Sequence, residues 1–135
     1  VNGLVRLGRG QHWLLDLFGC DPAILNDKEK LRALLRAAAE AAGARIVADI
    51  FHTFAPQGVT GVIVVEESHL SIHTWPEHGY AALDFYTCGA VSPEAALSEL
   101  GTLLGATRRE IMEISRCTDP QQTLQFAARR SKMPG

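Results

Sequence analysis

Between Ala44 and Cys88 the chain passes through four apolar-polar segments with almost nothing between them. They read as strands at Ala44 to Phe54, Val59 to Glu67, Ser68 to Trp75 and Tyr80 to Cys88. Ala55-Pro56-Gln57-Gly58 and Glu77-His78-Gly79 are the turns, and both have hairpin length. Such short connections leave no room for a crossover helix, so neighbouring strands must be antiparallel. His12 to Phe18 is a further strand, closed by Gly19-Cys20-Asp21-Pro22.

Two helical segments flank this core. The first is expected to start at Asn26 as cap, with Glu29 completing a capping box and Gly43 as the stop. Leu31, Leu34, Leu35, Ala38, Ala39 and Ala42 give it one apolar stripe. The second is opened by Ser92-Pro93-Glu94, with serine as cap, and ends at Gly105. It carries Ala96, Leu97, Leu100, Leu103 and Leu104. Arg108 to Ile114 reads as one more strand. The economical arrangement is an α+β two-layer sandwich, an antiparallel sheet with two helices packed on one face. Residues 1–117 form the domain, and 118–135 are a C-terminal tail without assigned role, in which Gln121 to Ala128 suits a short helix.

Composition narrows the function. At 135 residues there is material for one domain, and 21% charged with 47% hydrophobic residues fits a globular fold. A net charge of −2 gives no electrostatic grip on nucleic acid or membrane. No apolar run approaches the ~20 residues of a membrane span. Val1-Asn2-Gly3-Leu4 lacks the pattern of a signal peptide, so a cytoplasmic location is expected. Cys20, Cys88 and Cys117 are an odd count at unrelated spacings, which speaks against a disulfide framework.

The chemistry concentrates in Glu66-Glu67-Ser68-His69-Leu70-Ser71-Ile72-His73-Thr74-Trp75-Pro76-Glu77. If Glu77-His78-Gly79 is a three-residue loop with Gly79 left-handed, Pro76 faces Tyr80. Ser68 then lies opposite Cys88, with Cβ atoms ~4.5–5.5 Å apart. His73 is five residues from Ser68, roughly 16 Å along a strand and on the other face. It could serve Ser68 only if the strand bends or a second copy supplies it. His12, His52 and His78 read as packing or surface residues, Trp75 as core, and Cys20 and Cys117 as incidental thiols.

From residue 10 to about 117 the sequence resembles the short prokaryotic S-adenosylmethionine decarboxylases, which are pyruvoyl-dependent. The resemblance is carried by Glu67 to Glu77, by Gly19-Cys20-Asp21, by Phe54-Ala55-Pro56-Gln57-Gly58-Val59 and by Asp84-Phe85-Tyr86-Thr87-Cys88-Gly89, in the family's order. It implies self-cleavage between Glu67 and Ser68, with Ser68 converted to a pyruvoyl group that forms a Schiff base with substrate. It implies that His73 assists this processing and that Cys88 is the proton donor in decarboxylation. Phe54 would stack on adenine and Glu77 bind the ribose hydroxyls of S-adenosylmethionine. Position 60, usually serine in the family, is Thr60; the hydroxyl remains, while the methyl restricts its rotamers and implies slower processing. The family's site lies between two protomers of a homodimer, which would resolve the distance of His73 from Ser68.

Losing CO₂ from an α-amino acid requires an electron sink, which a carbonyl supplies. Lys28, Lys30 and Lys132 are the only lysines, and none is well placed to hold pyridoxal phosphate, so a self-made carbonyl fits better. The product would be the aminopropyl donor for spermidine and other polyamines. Three other readings stand beside this one: the same chemistry on arginine or ornithine, an unprocessed non-catalytic homologue that binds or regulates, and a metal site of His69, His73 and Cys88. The last conflicts with the ~13 Å that four residues of strand put between the histidines, and no metal is expected.

Overall fold

The computed structural model describes residues 10–66, 68–87 and 91–116, and the backbone of 125–132. The strands are β1 (Gly10–Phe18), β2 (Ile46–Thr53), β3 (Val59–Val65), β4 (Ser68–Trp75), β5 (Tyr80–Thr87), β6 (Arg108–Arg116) and β7 (Gln125–Lys132). The helices are α1 (Pro22–Leu25), α2 (Lys28–Ala41) and α3 (Glu94–Leu103). One seven-stranded antiparallel sheet has the order β2-β3-β4-β5-β1-β6-β7.

Alternation makes the two faces unlike. Trp13, Leu15 and Leu17 of β1, Ile63 and Val65 of β3, Leu70 and Ile72 of β4, and Leu83 and Phe85 of β5 are buried on one face. There they meet Leu31, Leu35 and Ala39 of α2 and Leu97 and Leu100 of α3 in one core. This is the expected two-layer sandwich, and burial of each large side chain contributes roughly 1.5–3 kcal/mol. The intervening residues form an open face that no described helix covers.

Several expectations are corrected locally. Asp27, not Asn26, caps α2: its carboxylate accepts from the Lys30 N–H at 3.1 Å. Asn26 is used elsewhere, its Oδ1 accepting from the Gly58 N–H at 2.9 Å. The short α1, capped by Asp21, was not anticipated. Ser92 does not cap α3; Pro93 occupies that position without a side-chain bond. Gln125 to Ala128 lies in a strand rather than a helix, because β6 offers it an unpaired edge.

Candidate active site

The four strand segments meet through very short turns. Val65 faces Ser68 across the β3–β4 ladder, so two residues of sequence separate the paired positions. Glu67 itself lies outside the described residues. Ser68 is the first residue of β4 and half-buried.

At the far end of β4 the geometry is richer. Thr60 faces His73 across the β3–β4 ladder, and its Oγ1 lies 3.1 Å from Nδ1 of the imidazole. Phe54 stands at the mouth of the β2–β3 turn with 48% of its surface exposed, its N–H donating to Gly58 C=O at 2.8 Å. Glu77 sits in the 3₁₀ turn Pro76–His78. Phe54, Thr60, His73 and Glu77 thus line one open cleft of ≈ 310 Å³, together with Trp75. The cleft floor is fixed from behind by buried Thr74. Its Oγ1 accepts from the Val59 N–H at 2.9 Å and donates to Leu25 C=O at 2.8 Å.

The β4–β5 register differs from the expectation by one residue. Trp75, not Pro76, faces Tyr80, and the pairing runs back to His69 opposite Tyr86. Gly79 is left-handed, as expected, at φ 61°. The loop nonetheless contains four residues, because Pro76 joins the 3₁₀ turn and accepts from the Gly79 N–H. Continued one step, the register brings Ser68 to Thr87 and not to Cys88, which lies outside the described residues. Trp75 is not core either: it is 40% exposed and stacks on Tyr80 at 5.2 Å. Tyr80 donates to Asp16 at 2.6 Å, and burial together with that carboxylate pushes its hydroxyl up to about 12.

Sequence reasoning missed a polar cluster on the open face. His12 and His69 meet one carboxylate oxygen of Asp84 through Nε2, at 2.6 and 3.1 Å, and Ser71 donates to the other oxygen. Partial burial pushes the Asp84 carboxyl up, but the bonds from Ser71, His12 and His69 outweigh it and hold it below the usual range. The ligand-type atoms of His12, His69 and Asp84 lie within 4.8 Å of one another. The Nε2 of each imidazole is already spent on Asp84, so the two rings and the carboxylate hold one another in place. The signal that could have found it is the register: Ser71 faces Asp84 directly. Cys20 is a buried thiol whose pKa burial raises to about 11, as suits an inert side chain.

The Ser68 end and the cleft lie on opposite faces of the sheet and at opposite ends of β4. By strand geometry they are roughly 16 Å apart within one chain. No metal-ligand set joins them among the described residues.

Fold and sequence together put the chain in the class of pyruvoyl-forming proenzymes. Residues 11–117 match the family profile of S-adenosylmethionine decarboxylase. The S-adenosylmethionine decarboxylase proenzyme of Anoxybacillus flavithermus is 45% identical over 119 residues, covering 88% of this chain and 96% of its own. That of Methanococcus maripaludis is 46% identical over 108 residues, covering 79% of this chain and 88% of its own. The crystal structure of the adenosylmethionine decarboxylase from Aquifex aeolicus superposes with a TM-score of 0.75 at 34% identity, covering 87% of this chain and 98% of that one. The chain belongs to the S-adenosylmethionine decarboxylase family. Among the described residues no helix is long and apolar enough to cross a membrane.

Proposed function

We propose that the chain decarboxylates S-adenosylmethionine for polyamine synthesis, with a pyruvoyl group formed from Ser68 by cleavage after Glu67, and that two copies share each site. The observation that carries the reading is the segregation of parts along β4. Phe54, Thr60, His73 and Glu77 share one cleft, while Ser68 lies at the other end.

The cleft has the chemistry of a nucleoside site. Phe54 offers an exposed ring for stacking on adenine, and Glu77 an exposed carboxylate for ribose hydroxyls. What the cleft lacks is an electron sink, which the carbonyl at residue 68 supplies once formed. A second copy would bring its Ser68 end to this cleft, with His73 and Thr60 beside it to move protons during cleavage. Ile50 and Val64, exposed on the open face at 70% and 41%, give that copy apolar surface to cover. Cys88 would be the acid that returns a proton to the former α-carbon.

The test is a denaturing mass spectrum of purified protein beside Ser68→Ala, followed by CO₂ release from candidate amino acids. Two fragments that part before residue 68, absent in the variant, with CO₂ from S-adenosylmethionine, are expected. An intact chain would remove the cleavage reading, and release from arginine or ornithine alone would remove the substrate.

A further inference from the structure

Thr87 ends the described part of β5 with its side chain fully buried, and its hydroxyl has no hydrogen-bond partner among the described residues. Valine has the same shape and would carry no such cost, so packing does not account for the oxygen. The recorded register ends with His69 opposite Tyr86, and one further step along both strands sets Ser68 opposite Thr87. Both point to the helix-covered face, since Leu70 and Ile72 of β4 and Leu83 and Phe85 of β5 are buried there. Facing side chains have Cβ atoms ~4.5–5.5 Å apart, which puts the Ser68 oxygen within reach of a Thr87 O–H after a rotamer change.

We infer that Thr87 is a catalytic residue of the self-cleavage, donating its O–H to the Ser68 oxygen as that oxygen departs. The inference rests on the proposed cleavage between Glu67 and Ser68. In the first step Ser68 Oγ adds to the Glu67 carbonyl carbon, its proton passes to the Ser68 nitrogen, and the C–N bond breaks to leave an ester. In the second a base takes the α-proton of residue 68 and the Cβ–Oγ bond breaks. The electron pair leaves with the oxygen, which becomes part of the Glu67 carboxylate. The enamine left at residue 68 tautomerises to an imine, and one water hydrolyses it to the ketone and ammonia. Charge grows on Oγ only in the second step. A donor that is unpaired beforehand and paired then stabilises the transition state selectively.

The experiment follows cleavage of the full chain by denaturing mass spectrometry in wild type, Thr87→Val and Thr87→Ser, with hydroxylamine added to aliquots to open any ester. Thr87→Val is expected to cleave about 100-fold more slowly. It should accumulate hydroxylamine-sensitive chain, and melt no lower than wild type. Thr87→Ser, which keeps the hydroxyl, should cleave within a few-fold of wild type. Wild-type speed in Thr87→Val overturns the inference, as does a Thr87→Ser chain as slow as Thr87→Val. A slow Thr87→Val chain that melts lower and holds no ester also overturns it, marking a structural role. If the wild-type chain stays intact, the cleavage site itself is wrong and the inference falls with it. Cleavage at the same rate in wild type and Thr87→Val removes the role of Thr87 alone.

Discussion

At one end of β4, His73 and Thr74 are held from both sides: Thr60 bonds the imidazole, and Thr74 ties β3 to α1 through two bonds. At the other end Ser68 opens β4, and the β4–β5 register, extended one step, sets it opposite the buried Thr87 hydroxyl, which has no partner among the described residues. At the first end Thr60, His73 and Thr74 all have hydrogen-bond partners. The second leaves the buried Thr87 hydroxyl unspent among the described residues, which costs stability unless a reaction uses it. On the proposed reading one strand carries a binding end and a reacting end roughly 16 Å apart, and the comparison predicts that function appears only between chains.

The largest expected effect tests that separation. Ser68→Ala and His73→Ala should each be inactive alone. Co-expressed and mixed, they should regain about a quarter of wild-type decarboxylation, because half of the dimers are mixed and each holds one intact site. No recovery, with mixed dimers demonstrated by mass, would mean that each chain serves its own site and that β4 rearranges to allow it.

A smaller effect should separate binding from reacting. Phe54→Ala leaves Ser68 and its hairpin untouched, so self-cleavage should proceed normally. Loss of one stacking face should raise KM for S-adenosylmethionine about tenfold, a step within the range for base–aromatic contacts. A fall in kcat with KM unchanged would move Phe54 out of the binding end.

How much of this was readable beforehand follows the range of the interactions. β4 was placed from Ser68 to Trp75 and β5 from Tyr80, because Pro76 and Gly79 punctuate the chain there. The register still slipped by one. Three- and four-residue loops differ only in whether Pro76 belongs to the strand or the turn, and composition does not decide that. Asn26 and Asp27 are equally good caps in isolation; a backbone N–H from Gly58, 32 residues away, claims Asn26 and leaves the helix to Asp27. The tail strand depends on the free edge of β6, a non-local partner with no local signature. The cleft residues came from family resemblance, and their convergence needed the β2–β3 and β4–β5 turns side by side. The His12–Asp84–His69 cluster stayed hidden because it joins β1, β4 and β5, and only the correct register aligns them.

That cluster lies between the two ends of β4 on the open face, and it gives the smallest predicted effect. Asp84 has its carboxyl held below the ordinary value of 3.8 in the folded chain. A lowered folded-state value means that folding favours the carboxylate. Its contribution is therefore complete above the ordinary value and drains away as pH falls through the lower one. Asp84→Asn should remove this dependence: in chemical denaturation the variant should be less stable at neutral pH by about 1–2 kcal/mol, the scale of hydrogen bonds to a charged group. The gap should narrow as pH drops below 3.8, where the unfolded chain takes up the proton, and close once the pH passes the lower folded value. A gap that stays constant across that window would show that His12, His69 and Ser71 bond to Asp84 for shape and not for its charge. Decarboxylation at neutral pH should change little if the cluster is only a brace. A large loss there would extend the reacting end from Ser68 to the open face.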